Sequence, residues 1–70
     1  MLIVYSTPVC HKCKVLKGKL TRANVAFKDV NLWEDDEASN FIQASGRREL
    51  PQVYKESGDE LVYIGTDVEV

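Results

Sequence analysis

Two cysteines stand three residues apart near the start of the chain, as Cys10-His11-Lys12-Cys13, and the sequence contains no others. If Cys10 opens a helix, Cys13 lies on the same side of its first turn, near enough for the sulfurs to bond or to share a metal. A helix start carries unpaired backbone N–H groups and the positive end of the helix dipole, and His11, Lys12 and Lys14 lie close in sequence. All of these favour a thiolate at Cys10, and the thiolate is the form that attacks a disulfide. The same pair is also half of a tetrahedral zinc site, which usually takes four ligands. With one CxxC and His11 as the one histidine, a complete metal site within one chain is hard to assemble, and no metal ligands are assigned. Redox or thiol chemistry is preferred over two buried structural cysteines, as expected for a CxxC beside β-α-β patterning. His11 reads as a modest tuner of Cys10 rather than its general base, because the helix end already supplies an activating field.

The elements that must position this pair are legible around it. Leu2-Ile3-Val4-Tyr5 is a continuous apolar run, the pattern of a strand covered on both faces. Ser6-Thr7-Pro8-Val9 turns into a helix from about Cys10 to Ala23, with Cys13, Leu16 and Leu20 inward and Lys12, Lys14 and Lys19 outward. Asn24 stands where a left-handed cap belongs. Val25 to Leu32 reads as a second strand. Glu34, Asp35, Asp36 and Glu37 crowd the start of a second helix, where acids stabilise the positive end. Ala38, Phe41, Ile42 and Ser45 share its inward side, and Gly46 ends it. Trp33 reads as packing at the start of that helix rather than as a binding surface. Pro51 precedes a third strand, Gln52-Val53-Tyr54-Lys55. The loop Glu56-Ser57-Gly58-Asp59 then leads into Leu61-Val62-Tyr63-Ile64 as an antiparallel hairpin. The order β-α-β-α-β-β predicts an α/β fold with the first two strands parallel and the hairpin completing a four-stranded mixed sheet.

Composition bounds the function. The 70 residues make a single domain, 1–70, of a size that buries only about 60% of the surface its unfolded chain exposes. A net charge of −2 with acids and bases interspersed offers no electrostatic case for nucleic acid or membrane. The basic residues between His11 and Lys19 read as a solvated helix face. The apolar start is far too short for a signal peptide or membrane span. A reducing cytoplasm is the expected compartment, where paired cysteines are more often catalytic or metal-binding than structural.

In order and spacing the chain resembles the glutaredoxin branch of the thioredoxin-like superfamily. The resemblance runs from the first strand through Ser6-Thr7-Pro8-Val9-Cys10-His11-Lys12-Cys13 and Ala23-Asn24-Val25. It continues with Ser45-Gly46-Arg47-Arg48-Glu49-Leu50-Pro51-Gln52-Val53-Tyr54 and ends at Ile64-Gly65. It implies a thioredoxin-like fold and a dithiol oxidoreductase in which Cys10 attacks and the more buried Cys13 resolves, with His11 and Lys12 tuning the potential. Pro51 would be a cis-proline lying against the dithiol, with Leu50 offering backbone groups to an extended substrate. Val9 would wall the groove, as would Tyr5, for which core packing is about as good an explanation, and Thr66 and Asp67 would meet the substrate from the end of the last strand.

Departures from the family pattern bear on the electron donor. Glutathione-using members carry Lys or Arg where this chain has Thr7, and Thr where it has Glu49, an acid that would repel anionic glutathione. Their Gly-Gly pair becomes Gly65-Thr66, and the acid that follows falls near Val68 or Glu69 unless Asp67 takes its role. NrdH-type redoxins, which take electrons from thioredoxin reductase and pass them to ribonucleotide reductase, also lack a Pro-Tyr pair between the cysteines, though His11-Lys12 is not their dipeptide. The resemblance therefore implies no bound cofactor, a disulfide-containing protein as substrate, and glutathione or thioredoxin reductase as donor. The alternatives are a metal or iron–sulfur carrier shared between two subunits, and a redox-inactive interaction module. Family members continue into a third helix beside the first, whereas this sequence reaches Asp67-Val68-Glu69-Val70. Part of one sheet face is accordingly expected to stand open, inviting a partner or a dimer.

Overall fold

Alternation along the first strand decides how the molecule is layered. In the computed structural model, which describes residues 1–69, β1 (Leu2–Ser6) sends Ile3 and Tyr5 into one apolar cluster and Leu2 and Val4 into another. Successive side chains of a strand point to opposite faces, so a continuous apolar run must be covered twice. α1 (His11–Arg22) covers one face, packing Leu16 and Leu20 against Val4 and Val53. α2 (Asp36–Ala44) covers the other, packing Ala38 and Ile42 against Ile3, Tyr5 and Tyr54. On that side the rings of Tyr5 and Tyr54 meet edge to face at 5.3 Å, and Tyr63 lies 5.3 Å from Tyr54.

β2 (Phe27–Asn31) runs parallel to β1, from Leu2 opposite Phe27 to Ser6 opposite Asn31. β3 (Gln52–Ser57) is antiparallel on the other flank, with Gln52 opposite Tyr5, and β4 (Glu60–Gly65) pairs antiparallel with β3. The order β2-β1-β3-β4 is the four-stranded mixed sheet read from the sequence. The hairpin loop is tighter than expected: Gly58 takes φ 61° at its first position, as a two-residue type II′ turn requires.

Several local expectations need correction. The second strand starts at Phe27 rather than Val25, because the exit of α1 claims the intervening backbone. Asn24 is left-handed at φ 59°, its N–H donates to the Thr21 carbonyl at 3.1 Å and the Val25 N–H to that of Leu20 at 3.0 Å. These are the paired bonds of a Schellman cap. Phe41 is 39% exposed. It lies beside the Ala38/Ile42 stripe and leans on the edge of the aromatic cluster, 5.7 Å from Tyr5 and 5.3 Å from Tyr54. Trp33 does not pack at the helix start but is 63% exposed. Leu32 takes that place, packed on the core with its N–H donating to the Ser6 carbonyl at 2.9 Å. The helix start itself is capped by Asp35, whose Oδ1 accepts from the Ala38 N–H at 3.0 Å.

The sheet face beside α1 is partly filled by the chain's own last described residues. After β4 the backbone turns at Gly65, Val68 packs on the Val4/Leu16/Leu20/Val53 cluster, and Asp67 pairs with Lys19 at 2.9 Å. Lys19, expected to face outward, is drawn in by that pairing and is only half-exposed. Val62, which shares this face through its pairing with Lys55, remains 47% exposed. The expected opening is therefore narrowed rather than closed.

Four outcomes follow from this packing. Leu20→Ala should cost about 3 kcal/mol, a large share of the roughly 3–10 kcal/mol available to a domain of this size, and Asp35→Ala only about 1 kcal/mol. Urea unfolding of the two variants checks that ranking. The Lys19 hydrogen bond, aided by the Val68 N–H, holds the Asp67 carboxyl below the usual carboxylate range. A lowered acid contributes stability that is complete above its ordinary value, about 4, and lost as pH falls through the folded value. Amide protection in residues 66–69, taken relative to the intrinsic exchange rate at each pH, should therefore fall below about pH 4, and Asp67→Asn should show the same loosening at neutral pH.

Candidate functional site

The Cys10-Cys13 segment occupies the junction between β1 and α1, and each cysteine takes its role from its place in the helix. Cys10 is the N-cap: its backbone is extended, its carbonyl accepts from the Lys14 N–H at 3.3 Å, and its Sγ accepts from the Cys13 N–H at 3.2 Å. A cap side chain normally offers oxygen to that N–H; here sulfur does. Its own N–H donates to the Thr7 carbonyl at 3.2 Å, closing the turn out of β1. The two sulfurs are joined as a disulfide, with Cα atoms 5.2 Å apart.

Their exposure differs sharply. Cys10 is half-buried, whereas Cys13, one turn along on the inward face, is completely buried. His11 and Lys12 are exposed on the first turn, which contains no acid. α2, by contrast, has Asp36 and Glu37 in its first turn. The positive end of α1 is thus left without carboxylates and acts on the Cys10 sulfur.

Strand register brings the second half of the site to the same sheet end. β1 runs toward the cysteines and β3 starts at Gln52, opposite Tyr5 near the end of β1, so Leu50 and Pro51 precede β3 beside that junction. Pro51 is fully buried, Leu50 half-exposed, and the peptide bond between them is cis. Val9 projects into solvent at 74% exposure. Of the two places open to Tyr5 it takes the core: it is 7% exposed, and burial, with Tyr54 and the acids Asp35 and Glu56 nearby, pushes its hydroxyl above the usual tyrosine range. Thr66 and Asp67 border a cavity of about 340 Å³ with Lys12, Val15, Leu16 and Lys19, so they lie along α1 on the Lys12 side.

Two polar ties that steady this end escaped the sequence reading. The buried Gln52 amide donates from Nε2 to the Arg47 carbonyl at 3.0 Å and accepts the Tyr54 hydroxyl at its Oε1, also at 3.0 Å. It pins the loop leading to Pro51. Ser6 Oγ donates to Asp29 Oδ1 at 3.1 Å, and Lys17 Nζ reaches Asp29 Oδ2 at 3.0 Å and Ser6 Oγ at 3.4 Å. This ties the end of β1 to β2 and to the turn of α1 after Cys13. A buried Gln at a strand start and a Lys four residues after a cysteine carry no signal in a single sequence. Among the described residues no three of His, Cys, Asp and Glu are placed to hold a metal, and no helix is long and apolar enough to cross a membrane.

Comparison with known proteins agrees with this geometry. Residues 2–62 match the family model described as Glutaredoxin. The chain is 33% identical over 68 residues to an uncharacterized glutaredoxin-like 8.6 kDa protein in the rubredoxin operon of Clostridium pasteurianum, covering 97% of this chain and 80% of that one. It is 32% identical over 56 residues to the glutaredoxin-like protein NrdH of Lactococcus lactis subsp. cremoris, covering 80% of this chain and 78% of the relative. Among solved structures, the NrdH-redoxin of Escherichia coli, studied for its thioredoxin-like activity profile, superposes with a TM-score of 0.71 at 27% identity, over 86% of this chain and 76% of that chain. The dithiol at a strand-to-helix junction, the cis-proline beside it and the mixed four-stranded sheet thus have one explanation: the chain belongs to the glutaredoxin family, in its NrdH-like, thioredoxin-fold range.

Proposed function

We propose that this protein is a thiol-disulfide oxidoreductase that reduces disulfides of protein substrates. The observation that carries the reading is the asymmetry of the pair: a reachable Cys10 sulfur at a helix N-terminus, bonded to a buried Cys13. In the reduced protein the Cys10 thiolate attacks a substrate disulfide in line. A Cys10–substrate S–S bond forms, the substrate S–S bond breaks, and one substrate thiolate leaves. Cys13, deprotonated, then attacks the Cys10 sulfur, expelling the second substrate thiolate and closing the Cys10–Cys13 disulfide. Two electrons pass to the substrate, whose thiolates take up protons.

The cycle needs a two-electron donor to reopen the protein disulfide. A thioredoxin reductase-type flavoprotein suits this chain better than glutathione, because Thr7 contributes no cation and exposed Glu49 sets a negative charge beside Leu50 and Pro51. Likeness to NrdH-type redoxins supports a ribonucleotide reductase as the leading substrate, and a reducing cytoplasm is the compartment that suits a reducing dithiol.

The test is NADPH consumption with a protein disulfide, driven either through thioredoxin reductase or through glutathione and its reductase. Turnover is expected by the first route and about tenfold slower by the second; turnover by neither would sink the proposal. Cys10→Ser should abolish activity. Cys13→Ser should accumulate a mixed disulfide that mass spectrometry detects on Cys10. In the reduced protein, iodoacetamide should label Cys10 well before Cys13, since the second sulfur is buried.

A further inference from the structure

Trp33 is the chain's one tryptophan, and its own fold does not use the ring. It is 63% exposed while its backbone is held: its N–H donates to Asn31 Oδ1 at 2.9 Å, and the flanking Leu32 and Glu34 N–H groups donate to Ser6 and Asn31 carbonyls. A large apolar side chain on a fixed backbone, left in water, loses stabilisation that burial would provide.

Topology places it at the functional end. β1 and β2 are parallel and end together, Ser6 opposite Asn31, so the segment carrying Trp33 leaves the sheet at the same edge as the segment carrying Cys10. The loop before β3 reaches that edge as well. A cavity of about 460 Å³ lies between Leu32, next to Trp33, the end of α2 and the loop before β3, with the apolar Leu32, Ile42 and Leu50 in its wall beside Gln43, Arg47 and Arg48. That volume is within the range of pockets that take a ligand or a partner's side chain, and the apolar part of the wall lies on the Trp33 and Leu50 sides.

We infer that Trp33 and this cavity form a docking rim for protein disulfides flanked by an apolar side chain. The inference rests on the oxidoreductase reading, because in-line attack by Cys10 requires the substrate sulfur to sit at this sheet end. A folded substrate must then lay the surface around its disulfide over whatever is exposed there. Trp33 is the largest such group, of a residue type that often anchors interfaces. A small organic disulfide brings no such surface, so the rim confers preference for protein substrates rather than reactivity.

The experiment compares reduction of insulin disulfides with reduction of hydroxyethyl disulfide by wild type, Trp33→Ala and Trp33→Phe, with dithiothreitol as reductant. Trp33→Ala should lower the insulin-to-hydroxyethyl-disulfide ratio of kcat/KM at least fivefold, through KM for insulin. Trp33→Phe should recover most of it. Thermal unfolding of all three variants verifies that the fold is intact, as expected for an exposed side chain. An unchanged ratio in Trp33→Ala, or a fall of kcat on both disulfides together, would overturn the docking role. Failure of the wild type on both disulfides would instead remove the oxidoreductase reading beneath it.

Discussion

The burial of β1 on both faces is the constraint from which the remaining structure follows. Its alternation commits Ile3 and Tyr5 to one core and Leu2 and Val4 to the other. Each core needs a helix, and a helix following β1 that packs back onto the sheet must start at the strand's C-terminal end. The cysteines sit at that start. β2 is brought parallel to β1 by the same crossover, so its exit is at the same edge, and β3 begins there because it runs the other way. The functional end of this protein is therefore a consequence of how one apolar strand is covered.

The chemical inequality of the two thiols arises from helix phase. A cap residue lies outside the first turn and half in solvent, whereas the residue three positions on is carried to the inner face. Cys10 and Cys13 occupy those positions. The two helices use opposite devices at their starts. α2 has an aspartate cap and two further acids, which satisfy its N–H groups and its dipole. α1 has a sulfur cap with basic neighbours, a poorer arrangement for helix stability but one that leaves the field of the helix end acting on sulfur. The stability of α1 has to come from Leu16 and Leu20 on the core.

Around this junction the loops are fixed by polar groups rather than by apolar packing alone. The Gln52 amide holds the Arg47 carbonyl while Tyr54 holds the amide. Arg47 in turn lays its guanidinium 3.9 Å from the Tyr63 ring centroid, closing over the aromatic cluster. Buried polar groups of this kind are fully paired, and no buried side-chain nitrogen or oxygen among the described residues lacks a partner. Such ties specify one loop conformation, because leaving either partner unsatisfied would cost more than the bond contributes.

The sequence by itself determined the order of elements, the doubly covered first strand, the inward stripe of Cys13, Leu16 and Leu20, and the left-handed Asn24. Those features depend on local periodicity and on the few residue types that caps and turns accept. It also singled out the dithiol, since CxxC at a strand-to-helix junction is a short-range pattern. Tertiary structure decided what depends on competition between distant residues. Leu32 rather than Trp33 packed at the start of α2, because Ile3, Tyr5 and Tyr54 of the sheet formed the core that received it. Tyr5 went to the core because Phe41 and Tyr54 met it there. Val68 partly covered a face expected to stand open, because Asp67 found Lys19 on α1. Each outcome was settled by a partner remote in sequence, and neither spacing nor residue type could name that partner in advance.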